Sequence, residues 1–117
     1  MAEKAEIIQA IGYFNGYKTK GTYDVELNFK FGEDQLPNVL QFLSGLGNDL
    51  SLLAVVYDEK VRLGSFSLYN LTVDRDANAK VRFKSNVDKC FINNFRSLLL
   101  DEETPIILKA KVVERNN

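Results

Sequence analysis

The sequence predicts a mainly β fold with two short helices, arranged as a curved antiparallel sheet or a small OB-like barrel. Residues 23–31 alternate apolar and polar side chains without a break, the period of two that is typical of a half-buried strand. Residues 79–84 and 106–113 show the same alternation. Apolar residues at helical spacing occur in two short stretches of the sequence, so strands are expected to dominate the fold.

The length and composition indicate one ordered intracellular domain. At 117 residues, with 45% hydrophobic content and two prolines, the chain is long enough for a core of its own. The single cysteine, Cys90, has no partner for an intramolecular disulfide, which favours a buried thiol in a reducing compartment. The charged N-terminus and the lack of a long apolar run predict neither secretion nor membrane insertion.

The first strand is predicted over residues 6–14, with a bulge near Gly12. The Asn15-Gly16 pair that follows is a strong turn signal. We therefore expect a loop between this strand and the strand over residues 23–31. Aromatic and basic side chains crowd the expected loop: Tyr13, Phe14, Tyr17, Lys18 and Lys20.

A helix is expected after the strand over residues 23–31. Asp34 is a suitable cap and Pro37 suits the first helical turn. The apolar residues at helical spacing are Leu36, Val39, Leu40 and Leu43. Residues 50–57 then form a nearly continuous apolar run, which predicts a strand buried on both faces.

The second half of the chain begins with a predicted turn over residues 58–60 and a long strand over residues 61–73, bent at Gly64. A polar turn over residues 74–78 leads into the strand over residues 79–84. One side of that strand is wholly basic, carrying Lys80, Arg82 and Lys84.

The chain ends with a second helix and a last strand. Asp88 is a suitable cap for the helix, and the acidic stretch before Pro105 ends it. The last strand, over residues 106–113, projects Lys109 and Lys111 from its polar side. The predicted order of strand, strand, helix and strand thus occurs twice, and Phe29 to Asp34 aligns with Phe83 to Asp88, which indicates a possible internal duplication.

The residue types exclude most enzyme chemistry. The sequence contains no histidine, which removes the commonest general base and most zinc sites, and it has no glycine-rich phosphate-binding motif. Residues 74–78 imitate the start of a calcium loop, but Ala79 and Ser85 stand where such a loop needs Gly and Glu. We expect a solvated turn there, no metal, no cofactor and no enzymatic activity; a divalent-metal nuclease using carboxylates is a weak third hypothesis.

The positive signal is the combination of aromatic and basic side chains. Single-stranded nucleic acids bind to proteins by stacking bases on aromatic rings while Lys and Arg contact the phosphates. The formal net charge is only −1, but the later half of the chain is the basic one. The predicted binding residues, provided that their strands lie side by side to form one groove, are Tyr13, Phe14, Tyr17, Lys18, Lys20, Arg62, Lys80, Arg82, Lys84, Lys109 and Lys111.

Given the early Tyr-Phe-Asn-Gly-Tyr-Lys-Thr-Lys segment and the basic strand over residues 79–84, the chain resembles the small phage-encoded single-stranded-DNA-binding proteins with an OB-type barrel. The resemblance implies one OB-like nucleic-acid-binding domain over residues 1–117, which coats unwound DNA in phage replication or recombination with little sequence preference. It also implies a homo-oligomer in the cytoplasm of an infected host cell, with replication or recombination proteins as further partners. Two features depart from the pattern: the sequence ends Val-Glu-Arg-Asn-Asn where bacterial members have an acidic tail with a hydrophobic tip, and its two predicted helices exceed the one helix of the usual OB order.

The alternative is a protein-interaction module without enzymatic activity, such as an inhibitor of a host factor or an adaptor. Its interface would lie on the acidic side of the strand over residues 23–31, at Asp24 and Glu26, or on residues 50–57. Both hypotheses are compatible with the same sequence pattern.

Overall fold

In this computed structural model, which describes residues 7–20, 24–86 and 104–113, six antiparallel strands close into a barrel. Around the barrel the order is β1-β2-β5-β4-β3-β6, with β6 pairing back to β1. The strands are β1 (Ile7–Lys20), β2 (Asp24–Phe31), β3 (Asp49–Val56), β4 (Glu59–Val73), β5 (Ala79–Asn86) and β6 (Ile106–Val113). The predicted mainly β class and small barrel are confirmed. The ring has one strand more than the five of an OB-fold.

The barrel consists of two packed sheets that share its two longest strands. Residues 7–12 of β1 pair with β6, whereas its later residues pair with β2. In the same way β4 pairs first with β3 and then with β5. We refer to the two walls as the β3–β6 sheet and the β2–β5 sheet. Bulges bend β1 and β4 where they pass from one sheet to the other, and Gly64, with a φ of 109°, adds a second irregularity in β4, near the predicted bend.

The core lies between the two sheets and is dominated by phenylalanine. The Phe29 ring meets the Phe14 ring edge to face with centroids 5.5 Å apart, and the Phe83 ring in the same manner at 5.9 Å. Each of these side chains is at most 2% exposed. Burial of one such side chain contributes about 1.5–3 kcal/mol, so the alternating strands are stabilised mainly through this aromatic cluster.

A short helical segment joins β2 to β3 and packs on the core. It comprises the α-helix α1 (Leu36–Leu40) between two 3-10 turns, Glu33–Gln35 and Gln41–Gly45. Pro37 lies in the first turn of α1, as predicted. No side chain caps the N-terminus of the first 3-10 turn or that of α1, so the predicted Asp34 cap is wrong. Val39 and Phe42 are buried, whereas Leu40 and Leu43 are exposed, because the 3-10 turn changes the helical period and brings Phe42 inward.

The predicted loop around Asn15-Gly16 is wrong, since β1 runs without interruption to Lys20. Asn15 and Gly16 form the bulge at which the register of β1 on β2 shifts, and Gly16 adopts a φ of 104°. A glycine that tolerates positive φ serves a bulge as well as a turn, which is why the dipeptide misled the prediction. Gly12 is not bulged; it pairs regularly with Ile106.

Two further turns separate the later strands. The turn between β3 and β4 is formed by Tyr57 and Asp58, one residue earlier than predicted, with φ values of 51° and 67°. The predicted polar turn over residues 74–78 is confirmed: a carboxylate oxygen of Asp74 accepts hydrogen bonds from the N–H groups of Asp76 (2.9 Å) and Asn78 (3.0 Å). β3 is buried on one face only, because the barrel interior covers one side of each strand and leaves the other outward.

The strands have a two-fold symmetry that agrees with the possible internal duplication, and we call β1–β3 and β4–β6 its two repeats. The strands β1, β2 and β3 correspond to β4, β5 and β6, and exchanging the two sets leaves the order around the barrel unchanged. The offset that relates Phe29 to Phe83 also relates Asn28 to Arg82, and these two residues pair directly. The bulges in β1 and β4 occupy equivalent places against β2 and β5. The predicted helix from Asp88, together with Cys90, lies outside the described residues.

Candidate nucleic-acid interface

The outer face of the β2–β5 sheet carries a run of cations. The side chains of β2 and β5 alternate, so Leu27 and Phe83 enter the core while their neighbours point outward. Three outward pairs follow one another along these two central strands. They are Lys30 with Lys80, Asn28 with Arg82, and Glu26 with Lys84.

Two tyrosines flank these central pairs from the shared strands. Tyr13 of β1 pairs with Lys30 and is 43% exposed. Tyr69 of β4 is 52% exposed, and the Lys84 ammonium nitrogen lies 3.7 Å above the centre of its ring. That contact is a cation–π interaction, which holds the ring on the outer face of the sheet and leaves its other side accessible.

The rings of Tyr13 and Tyr69 lie at opposite corners of this face. Tyr13 belongs to the row that contains Lys30, Lys80 and Thr72, whereas Tyr69 lies beside Lys84, which pairs with Ser67. With strands about 4.8 Å apart and a rise of about 3.3 Å per residue, the diagonal between the two corners is about 20 Å. Arg82 lies near its centre.

The charges of the described residues are segregated between the walls and the ends of the barrel. Five cations, Lys18, Lys30, Lys80, Arg82 and Lys84, accompany one carboxylate, Glu26, among the described side chains of the β2–β5 face. Most other carboxylates of the described residues lie in turns at the barrel ends or at the first residue of a strand: Glu33, Asp34, Asp49, Asp58, Glu59, Asp74 and Asp76. A nearly neutral chain thus presents a locally basic wall.

Asn28 occupies the centre of the basic wall. Its side chain is half-buried, next to the point where the bulge interrupts the pairing of β1 with β2. Its amide oxygen is buried and accepts no hydrogen bond from the described residues. Asn70 pairs with Arg82 on the other side, so amides flank the central guanidinium.

The predicted loop residues lie on β1 rather than in a loop, and they do not share one face. Phe14 is 2% exposed and packs on Phe29, so it is a core residue and is removed from the site. Tyr17 pairs with the core residue Leu27 and so lies on the other side of β1 from Tyr13, where it is 37% exposed. Lys18 pairs with Glu26 on the outer face. For Lys20 the structure describes only the backbone, which pairs with that of Asp24.

The condition that all the basic strands lie side by side in one groove is not met. Lys109 and Lys111 lie on β6, which two strands separate from β5 in either direction around the barrel. Arg62 pairs with Leu53, and Leu53 pairs with Lys109, so these cations share the β3–β6 sheet. The closed ring places them on the opposite wall from Lys80, Arg82 and Lys84.

The structure adds Lys30 and Tyr69 to the candidate site. The alternation of residues 23–31 already places Lys30 on the polar side of its strand. Its membership of the site follows only from the pairing of β2 with β5, which brings Lys30 beside Lys80. Tyr69 follows the core-side residue Leu68 at the bulge of β4, which turns the Tyr69 ring outward. Among the residues that the structure describes, no group of three or more Cys, Asp or Glu side chains is arranged to hold a metal ion.

No helix in the described ranges is long and apolar enough to cross a membrane. The sequence matches no protein-family model and no curated protein. What the chain binds is therefore inferred from the residues of the barrel itself.

Proposed function

We propose that the chain binds single-stranded DNA across the outer face of the β2–β5 sheet, without strong sequence preference and without enzymatic activity. The observation that carries this proposal is the diagonal from Tyr13 to Tyr69, with Lys30, Arg82 and Lys84 between and beside the two rings. A strand on this diagonal stacks bases at its two corners and places phosphates over the cations. Stacking on a protein ring contributes about 1–3 kcal/mol per base, whatever the base.

The chemistry of the face favours a single strand over a duplex. Exposed rings stack only on bases that are not already stacked in a helix, and the described face offers a smooth sheet rather than a helix that enters a major groove. Asn28 and Asn70 provide hydrogen bonds near the centre, too few to read a sequence. The resemblance to phage single-stranded-DNA-binding proteins supports a role in coating unwound DNA during replication or recombination, as a homo-oligomer.

The Tyr69–Lys84 contact suggests how the ring is used. Lys84 covers one side of the ring, so a base stacks on the other side. The ammonium group then remains available to a phosphate while it keeps the ring in place. Replacing Tyr69 with alanine therefore removes a stacking partner and also frees Lys84 from its position.

The test is a titration of labelled oligo-dT, followed by fluorescence anisotropy at several salt concentrations, with duplex DNA and RNA of equal length as competitors. The proposal requires binding that weakens with salt. Arg82→Ala is expected to weaken binding and to reduce the slope of log affinity against log salt by about 0.7, the value for one lost phosphate contact on a single strand.

Arg75→Ala is the matched control, because it removes an equal charge from the exposed turn between β4 and β5, away from the proposed path of the strand. Its affinity and salt slope should equal those of the parent. Absence of oligo-dT binding at low salt, or equal effects of the two arginine substitutions, would refute the proposal.

A further inference from the structure

The outer face of the β3–β6 sheet has a different chemistry from that of the β2–β5 sheet. Along its strands the outward apolar side chains are aliphatic, among them Ile7, Ile11, Leu53, Val55 and Ile107, whereas Tyr57 lies in the turn at one end. Ile7 is 63% exposed and Ile11 is 46% exposed. The cations of this face are Lys60, Arg62, Lys109 and Lys111, whereas Asp49 and Asp58 lie at its two ends. Aliphatic side chains do not stack on bases as rings do, and the one ring among the described side chains of this wall, Tyr57, lies in the turn at its end, so the wall offers little stacking surface and favours a protein ligand.

A groove crosses one end of this face. Ile11, Ile107 and Val55 lie side by side on three adjacent strands, and Tyr57 and Pro105 complete the apolar walls. The groove has a volume of about 340 Å³, enough for one or two large side chains. Thr104, Ile106 and Asp58 supply the remaining lining.

Tyr57 is the least expected residue in this groove. It lies in the turn between β3 and β4 with a φ of 51°, a conformation that favours Asn or Gly and disfavours a bulky side chain. The residue is 75% exposed, so burial offsets little of that strain, and its hydroxyl shares a hydrogen bond of 2.9 Å with the Thr104 hydroxyl. A largely exposed aromatic residue in a turn conformation that disfavours it indicates a role in binding in addition to its hydrogen bond to Thr104.

The charge around the groove selects among apolar ligands. Lys60 pairs with Val55, and Lys109 follows Ile107 on the same outward side of β6. Arg62 extends the basic rim along β4. Asp58 is the charged residue in the lining of the groove itself, and Glu59 follows it in sequence, so the cations lie beside the groove and the carboxylates lie at its Asp58 end. A ligand that inserts apolar side chains and places its carboxylates on the side of Lys60 and Lys109 complements this arrangement.

We propose that the groove docks an acidic segment of a partner protein. An apolar side chain of the segment packs against Ile11, Val55 and the Tyr57 ring, while its carboxylates face Lys60 and Lys109. The segment binds through its side chains, since the closed ring of described strands offers no free edge for strand addition. The groove lies on the opposite wall from the proposed DNA path, so one barrel holds both ligands and connects a bound strand to a partner.

The experiment is a selection of random displayed peptides on the full chain, followed by affinity measurements with the selected peptides. Enrichment of sequences that combine Asp or Glu with large apolar residues is expected. Tyr57→Asn should weaken their binding by at least about tenfold, the loss typical of an interface anchor. Its thermal unfolding temperature should stay close to that of the parent, because the gain from Asn at positive φ offsets the lost hydrogen bond to Thr104.

Two controls make the result specific. Tyr69→Asn removes an exposed tyrosine from the opposite wall and should leave the peptide affinity unchanged. Tyr57→Asn should bind oligo-dT as the parent does, so the docking site and the proposed DNA site are judged independently.

Three outcomes would overturn the docking proposal. The first is a selection without enrichment of acidic and apolar residues, and the second is a Tyr57→Asn chain that binds the selected peptides as tightly as the parent. The third is competition between oligo-dT and the peptides together with loss of oligo-dT binding in Tyr57→Asn, which would assign this wall to nucleic acid instead.

Discussion

At the scale of single residues, the side of the strand on which a ring lies decides its role. Tyr13 and Phe14 are neighbours in sequence, yet one is exposed beside Lys30 and the other packs in the core on Phe29. Alternation predicts that they differ, but not which of them faces outward. Pairing of β1 with β2 settles this, because Phe14 lies opposite Phe29, itself a core residue.

Gly12 is a residue whose missing side chain is required by packing. A Cβ at this position would collide with the Lys30 carbonyl oxygen and the Phe31 ring, and the first of these is backbone that cannot rotate away. Gly12→Ala is therefore expected to lower the free energy of unfolding by about 1–3 kcal/mol. Urea denaturation of the two chains measures this change.

Gly32→Ala is the control for that substitution. A Cβ at Gly32 approaches only a flexible carboxylate oxygen of Asp34, at 3.0 Å, and the φ of −77° suits any residue. Its free energy of unfolding should stay within about 0.5 kcal/mol of the parent. A Gly12→Ala chain as stable as Gly32→Ala would contradict the close approach of β1 to β2.

At the scale of elements, the helical segment between β2 and β3 acts mainly through one ring. Phe42 is fully buried and meets Phe83 edge to face, with centroids 5.6 Å apart, and it also approaches Phe31 at 6.2 Å. The α-helix itself has five residues and no side-chain cap, so its intrinsic stability is low. Packing of Phe42 is what keeps the segment on the barrel.

Phe42→Ala is therefore expected to cost about 3–5 kcal/mol of stability, from lost burial and the cavity left behind. Leu43→Ala is the matched control, since Leu43 is the next residue and is 41% exposed. Its cost should be below about 1 kcal/mol. Chemical denaturation of both variants tests the assignment, and similar losses would show that the segment does not pack as described.

At the scale of the whole molecule, the two repeats share one core and cannot separate without losing it. β2 of the first repeat pairs with β5 of the second, and β3 pairs with β6, so both walls join the repeats. Phe29 and Phe83, which occupy equivalent places, contact each other directly. A barrel of this kind offers neither repeat a complete set of strand partners.

Unfolding of the chain should consequently be a single cooperative transition. Denaturation followed by far-ultraviolet circular dichroism and by tyrosine fluorescence should give coincident curves with one midpoint. Tyr13 lies in the first repeat and Tyr57 in the turn before the second, so fluorescence reports on both. Two separated transitions would mean that the repeats fold independently.

The sequence alone determined most of the local structure. The alternation in residues 24–31, 79–84 and 106–113, the polar turn at Asp74 and the two-fold order of the strands all follow from side-chain period and turn chemistry, which act over a few residues. The same period identified Lys80, Arg82 and Lys84 as an outward set. It did not show that the Asn15-Gly16 signal marks a bulge, because a bulge and a turn need the same positive φ.

Only the tertiary structure decided which groups of outward-facing side chains become neighbours. In the closed ring β2 pairs with β5 and β3 pairs with β6. Lys30 therefore lies beside Lys80, whereas Lys109 and Lys111 lie on the opposite wall. Side-chain alternation assigns each residue to the inner or the outer face of its strand. The pairing of distant strands decides on which wall of the barrel that face lies. That pairing depends on packing of the shared core, which no short stretch of sequence contains.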